Sequence, residues 1–531
     1  MGKILNAKRF SLYSAIVLLL IIGLAPVLSM FVKSLLIDGK FTLQNYEMLL
    51  QSKREWTLLF NSLTLAGATT LIAVLLGVPL GILLSKTDLP LKKAFTTLFL
   101  IPLIIPPYIL AISWFYFLGR SGVIATLFGK TIGVLTSRFL FGFPGTLFVM
   151  ISTLIPIVII LTMTYLRMVN PRLEEAAKLS ASWFTVLKSV SIPVIKPGIF
   201  LSGLLVFILT LGEFGVPSSL RFDVFPVESF TQFSAFYNFN AATAAAIPLG
   251  VITLVVLIVE RLFLRKKTFQ FRAERSEETM IMVPLGKMKP FFFSAVNTLA
   301  LIFVIIPLGV LLAKSLSIGA YREAITQSMD SIVRSLLYAS IGATCLVVMG
   351  FFLGYLLERK ALRFPYAADS LAIFLFALPS TVIGIGLISL WNTQATNFIY
   401  ASTAIILFGY IAQYTALGER ITAATLSQIP HSMEEAAQIV GAHWFRRLFY
   451  VLIPLAKHGI IAVWLVGFIF CLRDLGITMM VYPPNHDTLP VRIFTLMANS
   501  PEEVISALCM VMITITLLPL GLLTLLTKYM R

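Results

Sequence analysis

Two carboxylates stand at equivalent places in stretches that are otherwise apolar. Glu213 and Asp474 are 261 residues apart (474 minus 213), and the same interval separates Pro193 from Pro454. A carboxylate in hydrocarbon costs roughly 2.5–3.5 kcal/mol on insertion scales, so it usually faces a partner or a water-filled cavity. Across a pseudo-twofold axis the pair would attract a cation or gate a pathway. The alternative is structural, with Arg473 neutralising Asp474 and Glu213 bonded to a hydroxyl, and the residues favour neither.

A second pattern, Glu-Glu-Ala-Ala, occurs twice, each time in a loop that precedes an apolar stretch. Acidic residues suit the positive N-terminal end of a short helix, and alanines let a partner approach closely. Gly441 is expected to end the second helix, and a further helix then leads to Pro193 or Pro454, where the next span begins. The first copy has Ser180 or Ala181 in place of Gly441. We therefore expect a partner to dock more loosely, or at a different angle, on the first copy. The two copies are Glu174-Glu175-Ala176-Ala177 and Glu434-Glu435-Ala436-Ala437.

Residues for other chemistry are missing from the sequence or stand in one copy only. No Gly-x-x-x-x-Gly-Lys-Ser/Thr phosphate-binding loop is present, since Gly129-Lys130-Thr131 has Ile124 where the first glycine is required. His431, His443 and His458 accompany only the second loop, which favours surface or interface roles over metal ligation. We therefore predict no enzymatic activity, no metal site and no cofactor bound directly by this chain.

Composition places these residues in a membrane protein. Of 531 residues, 58% are hydrophobic and 12% charged, against about 45–50% and about 25% in an ordinary soluble domain. A helix needs about 20 apolar residues to cross the bilayer, and about twelve such stretches occur. The sequence thus predicts an all-α membrane protein whose twelve spans lie near residues 10–30, 58–84, 94–118, 145–166, 198–216, 244–264, 291–312, 333–357, 370–391, 402–417, 459–480 and 504–526.

The net charge of +17 indicates orientation and lipid contact rather than nucleic-acid binding. Lys and Arg are dispersed among loops, and their excess falls on the side that holds the N-terminus and the Glu-Glu-Ala-Ala loops. Short cytoplasmic loops carry such an excess, and basic residues are attracted to anionic lipid. We predict a multi-pass protein of the cell inner membrane with both termini in the cytoplasm.

The chain is also an internal duplication. Ser62 and Ser335 are related by an offset of 273, as are Pro106 and Pro379. The glycine pairs Gly77-x-x-x-Gly81 and Gly350-x-x-x-Gly354 keep that offset and predict close helix packing. We divide the chain into a first membrane domain (1–266), a polar cytoplasmic linker (267–290) and a second membrane domain (291–531). The two membrane domains are parallel six-helix repeats.

The two loops resemble the EAA loop of binding-protein-dependent ABC importers. That resemblance covers nearly the whole chain and implies a type I importer permease fold, in which each loop docks on an ATPase. It also implies a homodimeric ABC ATPase that uses ATP and Mg, and an extracytoplasmic solute-binding protein. The stretches 211–217, 472–476, 482–484 and 488–492 are similar to fused ferric-iron uptake permeases. Thiamine and aminoethylphosphonate importers remain alternatives for the substrate.

A secondary transporter with two six-helix halves is the alternative of another class. The loops after the second and eighth spans, 85–93 and 358–364, lack the Gly-x-x-x-Asp-Arg pattern typical of that architecture. It would also leave the repeated Glu-Glu-Ala-Ala loop unexplained. We therefore expect an ATP-driven importer, with ferric iron as its substrate.

Overall fold

The computed structural model describes residues 2–37, 40–234, 239–265, 281–362 and 365–529. Over these residues the regular structure is helical except for an isolated bridge and one antiparallel pair of two-residue strands, β1 (Leu36–Ile37) and β2 (Lys40–Phe41). Helices are expected here because no water satisfies backbone groups in hydrocarbon. Most of the predicted linker, residues 267–280, lies outside the described residues.

The first half of the chain contains fifteen α-helices over the described ranges. Several are consecutive pieces of one span. In chain order they are α1 (Gly2–Leu19), α2 (Ala25–Ser34), α3 (Gln44–Gln51), α4 (Lys53–Lys86), α5 (Lys92–Ile104), α6 (Pro107–Leu118), α7 (Val123–Phe128), α8 (Lys130–Leu140), α9 (Phe143–Leu166), α10 (Pro171–Lys178), α11 (Trp183–Val186), α12 (Ile192–Leu211), α13 (Gly215–Ser219), α14 (Phe225–Ser234) and α15 (Phe239–Arg265).

The second half begins with a 3₁₀ turn at Gly286–Met288 and contains fourteen α-helices over its described part. They are α16 (Lys289–Ala300), α17 (Ile306–Lys314), α18 (Ile318–Arg359), α19 (Pro365–Ala377), α20 (Ser380–Trp391), α21 (Asn397–Tyr400), α22 (Ala404–Leu426), α23 (His431–Ile439), α24 (Trp444–Arg447), α25 (Ile453–Leu455), α26 (Lys457–Leu472), α27 (Gly476–Val481), α28 (Leu489–Leu496) and α29 (Glu502–Tyr529).

Among the described residues, nine helices are long and apolar enough to cross a membrane, or eleven if each of two bent pairs is one span. The sequence predicts about twelve. The remaining predicted span corresponds to α22, a 23-residue helix that carries Glu419 and Arg420. The charge of these two residues accounts for the lower apolarity of that helix.

The third span of each half, which the sequence predicts as continuous, is broken in the structure. Helix α5 ends at Ile104 and α6 begins at Pro107, while α19 and α20 meet at a bend of 106° beside Pro379. Pro106 and Pro379, related by the offset of 273, are the residues that precede α6 and α20. Proline lacks an N–H donor and disfavours helical geometry in the residue before it, so the helix stops there.

Over the part of the chain that the structure describes, four π-helical turns lie at positions related by the internal repeat. Leu20–Leu24 and Leu301–Ile305 lie in the first span of each half, and Leu187–Ser191 and Leu448–Leu452 precede Pro193 and Pro454. Such turns are rare and often mark functional sites. Their recurrence shows that the duplication extends to backbone irregularities.

Two compact units are present. Unit 1 comprises residues 1–53, 228–251 and 318–531. In unit 1, α18 packs along α22 and α26, and α2 packs on α20. A Cβ at Gly350 would lie 2.5 Å from the carbonyl carbon of Gly418, so α18 and α22 approach at backbone distance. This contact confirms the close packing expected of the second glycine pair.

Unit 2 comprises residues 54–227 and 252–317. Its core is formed by apolar residues of α4, α5, α9, α16 and the π-turn that follows α16, among them Leu84, Phe99, Ile155 and Phe303. The end of the predicted linker is fixed in this unit. Val283 pairs with Thr87, and the Val283 N–H donates to the Lys86 carbonyl oxygen at 2.7 Å.

Candidate functional site

The two Glu-Glu-Ala-Ala segments form α10 and α23, which we call the loop helices. In each loop helix the first glutamate is buried and the second is exposed. Glu174 is 1% exposed and Glu434 is 6% exposed, whereas Glu175 and Glu435 face outward. The two glutamates of a pair therefore have different roles, a distinction that the repeated pattern alone does not reveal.

Glu174 holds α10 to the interior of unit 2. The ammonium of Lys86, itself 1% exposed, donates to Oε2 of Glu174, and the hydroxyl of Ser191 donates to Oε1 at 2.7 Å. Lys86 ends α4, and Ser191 ends the π-turn ahead of α12. One carboxylate thus joins the loop helix to the two spans that flank it.

Glu434 holds α23 to the interior of unit 1 through different partners. The hydroxyl of Tyr355 donates to Oε1 at 2.7 Å, Arg359 Nε lies 3.9 Å from Oε2, and an Arg447 terminal nitrogen lies 3.8 Å from Oε1. The same Arg447 nitrogen donates to Gln438 at 2.6 Å. Two guanidinium groups and a phenol therefore surround one buried carboxylate.

Sequence reasoning missed the basic partners of these glutamates. Lys86 and Arg359 are related by the offset of 273 that links Pro106 and Pro379, so the repeat itself carried the signal. Arg447 has no basic counterpart, because Val186 stands 261 positions earlier. Only a structure identifies that third partner.

The loop helices begin and end differently. The Asn170 side chain caps α10 by accepting from the Arg172 N–H at 2.9 Å, whereas Pro430 precedes α23 and provides no such cap. At the other end, Gly441 has φ +81° and its N–H donates to Gln438, as a left-handed C-terminal cap requires. Helix α10 ends without a left-handed residue, at a right-handed Leu179.

Small and apolar side chains are exposed beside the outward-facing glutamates. Ala176 and Ala436 are exposed, and Ala177 and Ala437 are half-buried. Leu179 is 91% exposed, Ile439 85% and Val440 83%. Exposed apolar groups next to a carboxylate and two alanines form a surface suited to a protein partner.

The proposed pathway carboxylates lie just beyond a helix rather than within one, as a continuous fifth span would require. Helices α12 and α26 end at Leu211 and Leu472, and a short helix, α13 or α27, follows each of them. Glu213 Oε1 accepts from the Gly215 N–H at 3.0 Å and from the Val216 N–H at 3.3 Å. Glu213 therefore caps α13.

Asp474 occupies the same break in unit 1 but is buried. Its Oδ1 accepts from the N–H and the hydroxyl of Thr478, both at 2.9 Å, and its Oδ2 accepts from the Tyr414 hydroxyl at 2.8 Å. The guanidinium of Arg473 lies 4.6 Å from the centre of the Phe470 ring. Both carboxylate oxygens of Asp474 thus accept hydrogen bonds from neighbouring residues of unit 1.

The loop that follows α4 also holds the end of the linker. Asp88 accepts from the Leu285 N–H at 2.9 Å and from the Lys289 ammonium at 3.0 Å. The Leu285 N–H, and after it Lys289, hold the pKa of the Asp88 carboxyl below its usual value. An ionised Asp88 therefore fixes the start of α16 beside Lys86.

The family of binding-protein-dependent transport system inner membrane components matches residues 77–268 and 347–530, which is most of the chain and one copy in each half. This chain belongs to that family. The permease has the all-α fold of type I ABC importer permeases and is an inner-membrane component of a transport system. Members of the family operate with a solute-binding protein and an ATPase.

Curated relatives align with different shares of the permease. A putative ferric transport system permease protein, FbpB 1, of Haemophilus influenzae is 23% identical over 519 residues, 93% of this chain and 81% of that protein. The ferric transport system permease protein FbpB of Actinobacillus pleuropneumoniae is 23% identical over 493 residues, 88% and 71%. A putative 2-aminoethylphosphonate transport system permease, PhnV, of Salmonella typhimurium is 24% identical over 238 residues, 42% and 88%.

Proposed function

We propose that this permease imports ferric iron, driven by ATP that a separate homodimeric ABC ATPase hydrolyses with Mg. The supporting observation is the extent of similarity, since the relatives named for ferric transport align with about nine-tenths of the fused chain. The relative named for 2-aminoethylphosphonate aligns with less than half. That substrate and thiamine are the alternatives. An extracytoplasmic binding protein delivers the solute.

In this proposal, each loop helix docks on one ATPase subunit. The exposed Glu175 and Glu435, with their neighbouring alanines and exposed apolar residues, form the docking surface. The buried Glu174 and Glu434 transmit the movement of the loop helix to the spans that bind them. ATP closes the ATPase dimer, draws the loops together and switches the permease from inward-open to outward-open.

The proposal places the loop helices and both termini in the cytoplasm. In unit 1 Lys8 of α1 lies 4.8 Å from the Tyr355 ring centre, so the N-terminal helix begins on the same side as α23. Labelling of Glu435→Cys with a membrane-impermeant maleimide tests this orientation. We expect labelling in inside-out vesicles and none in right-side-out vesicles, and the reverse pattern would refute it.

Uptake of labelled ferric iron, thiamine and 2-aminoethylphosphonate is the decisive measurement, in cells that lack their own systems and express this permease with its ATPase and binding protein. The Glu175→Arg and Glu435→Arg double variant should abolish uptake while the permease still reaches the membrane. Glu503→Arg, a charge reversal at another exposed glutamate, is the matched control. Uptake of thiamine or phosphonate alone would discard iron and keep the mechanism. Full uptake by the double variant would refute docking.

Glu213 and Asp474 are proposed to line the translocation pathway, with Arg473 beside the second of them. Their support is the equivalent position in the two halves, each at the break that follows the long fifth helix. Conservative removal of charge, Glu213→Gln with Asp474→Asn, tests this role because the one amide oxygen of each variant can still accept the backbone N–H bonds that the carboxylate accepts. Transport should be lost while assembly is retained. Normal uptake by that double variant would assign the pair a structural role only.

A further inference from the structure

A cavity of about 550 Å³ lies beside α23 in unit 1. The start of α1, the end of α18 and residues of α23 and its C-terminal turn line it. Four lining residues are basic and two are acidic, so four positive charges oppose two negative ones. The charged residues are Lys8, Arg9, Arg359, Arg447, Glu434 and Glu435.

The two arginines of this cavity have unused donors. Their side chains are only 4% and 7% exposed, yet Nε of Arg359 and Nε of Arg447 are buried and have no hydrogen-bond partner among the described residues. A buried donor without an acceptor costs stability, most of all when its group is charged. The cavity therefore has an excess of positive charge and two buried donors without acceptors.

The other half of the chain shows which acid is missing. Lys289 stands 281 positions after Lys8, as Pro307 does after Pro26, and in unit 2 Lys289 is paired with Asp88. The residue 273 positions after Asp88 is Ala361, which lines the cavity. Unit 1 thus has Ala361 where unit 2 has the neutralising carboxylate, and Arg447 where unit 2 has Val186.

Lys8 packs on two aromatic rings and lies within electrostatic range of Glu434. Its ammonium lies 4.8 Å from the Tyr355 ring centre and 5.4 Å from that of Trp444. On the next turns of α1, Phe10 and Tyr13 are exposed, as side chains in contact with lipid are. The cavity is therefore open to anions beside a surface suited to the bilayer.

We propose that this cavity binds the phosphate group of an anion, supplied by a phospholipid headgroup or by free phosphate. Basic pockets between membrane helices bind phospholipid headgroups, and the planar guanidinium of arginine matches phosphate geometry. The bound phosphate supplies acceptors to Arg359 and Arg447 and replaces the carboxylate that Ala361 lacks. The site is separate from the transported solute and does not depend on iron being the substrate.

The fluorescence of Trp444 reports on this site, because a phosphate that attracts Lys8 draws it off the Trp444 ring. The full-length permease with its ATPase is placed in nanodiscs of phosphatidylcholine and titrated with inorganic phosphate at constant ionic strength. A second set contains phosphatidylcholine and phosphatidylglycerol in equal parts. The Trp444→Phe variant identifies the part of the signal that comes from this residue.

A saturable Trp444 signal with inorganic phosphate assigns free phosphate, and a signal that appears only with phosphatidylglycerol assigns the lipid. Arg447→Gln should weaken binding about fivefold, which corresponds to about 1 kcal/mol per basic residue near an anionic surface. Arg447→Lys should retain binding, and Arg446→Gln, an exposed neighbour outside the cavity, is the matched control.

Ala361→Asp gives the sharpest test because it restores the carboxylate of the other half without removing a cavity contact. We expect this variant to lose phosphate binding while remaining folded. The absence of a Trp444 signal in both nanodisc sets would overturn the proposal. Wild-type affinity in both Ala361→Asp and Arg447→Gln would overturn it as well.

Discussion

Glu174 and Glu175 are adjacent in the chain, yet Lys86 and Ser191 bind the carboxylate of Glu174 inside unit 2 while that of Glu175 is exposed. Glu434 and Glu435 repeat this division in unit 1. One carboxylate of each pair holds the loop helix to its unit, and the next is available to a partner. Stability and coupling should therefore respond to different members of each pair.

Removal of one partner from the buried ion pair in unit 2 should be strongly destabilising. Glu174→Ala should lower the free energy of unfolding by about 3–5 kcal/mol, since it leaves the Lys86 ammonium buried and unpaired. The Lys86→Met and Glu174→Leu double variant should recover most of that loss because neither charge then remains. Unfolding in mixed micelles measures both, with Glu175→Ala as the matched control. Equal stability of Glu174→Ala and Glu175→Ala would contradict this account.

The phenol of Tyr355 should contribute through its hydrogen bond to Glu434. Tyr355→Phe removes only the hydroxyl and should cost about 1.5–3 kcal/mol, as expected for a bond to a charged group. The comparison is Tyr366→Phe at an exposed tyrosine, which should change the unfolding free energy by less than about 0.5 kcal/mol. Identical unfolding curves for the two variants would show that the hydroxyl is replaceable by solvent.

Substitution of Gly441 tests whether the second loop helix needs a left-handed residue at its C-terminal end. Gly441→Ala places a Cβ in a left-handed residue, which costs roughly 1–2 kcal/mol, and no atom lies within 4 Å to add a clash. Hydrogen exchange at Ala436 and Ala437 should quicken by the corresponding factor. Gly309→Ala, at a helical glycine that also has no atom within 4 Å, should leave exchange there unchanged. A similar effect of both variants would exclude the conformational explanation.

The attachment of the linker should weaken in acid. The pKa of Asp88 is lower in the folded chain than in the unfolded chain, so its stabilisation is present above the unfolded value and is lost as pH falls through the folded one. The ratio of hydrogen-exchange rates at Leu285 between Asp88→Asn and wild type should exceed one near neutrality and approach one in acid. A ratio that does not vary with pH would show that the carboxylate is not responsible.

A comparison of variants at Tyr414 and Asp474 distinguishes a structural role of Asp474 from a role in transport. Tyr414→Phe removes one donor to Asp474 Oδ2 and should cost about 1.5–3 kcal/mol while leaving the charge in place. If Asp474 lines the pathway, Asp474→Asn should impair uptake far more than Tyr414→Phe at similar loss of stability. Parallel losses of uptake in the two variants would indicate that only structure is affected.

Composition, the lengths of the apolar stretches and the repeat offsets account for the helical fold, the duplicated loops and their family. They did not show that Pro106 and Pro379 break spans, because the apolar stretch continues through each proline. The repeated pattern also does not distinguish Glu174 from Glu175, because burial depends on which of the two side chains contacts Lys86. Arg447 could not be found from the repeat, because the first half has Val186 in its place.

Unit 1 joins residues 1–53 to residues 318–531, with α2 packed on α20. During synthesis the first membrane helix is therefore made long before the helices it packs against. The interval from residue 53 to residue 318 is 265 residues (318 minus 53), or roughly 13–53 s of translation at about 5–20 residues per second. Until α20 has been made, the face of α2 that packs on it has no partner there, so completion of the second half is a condition for packing the first span.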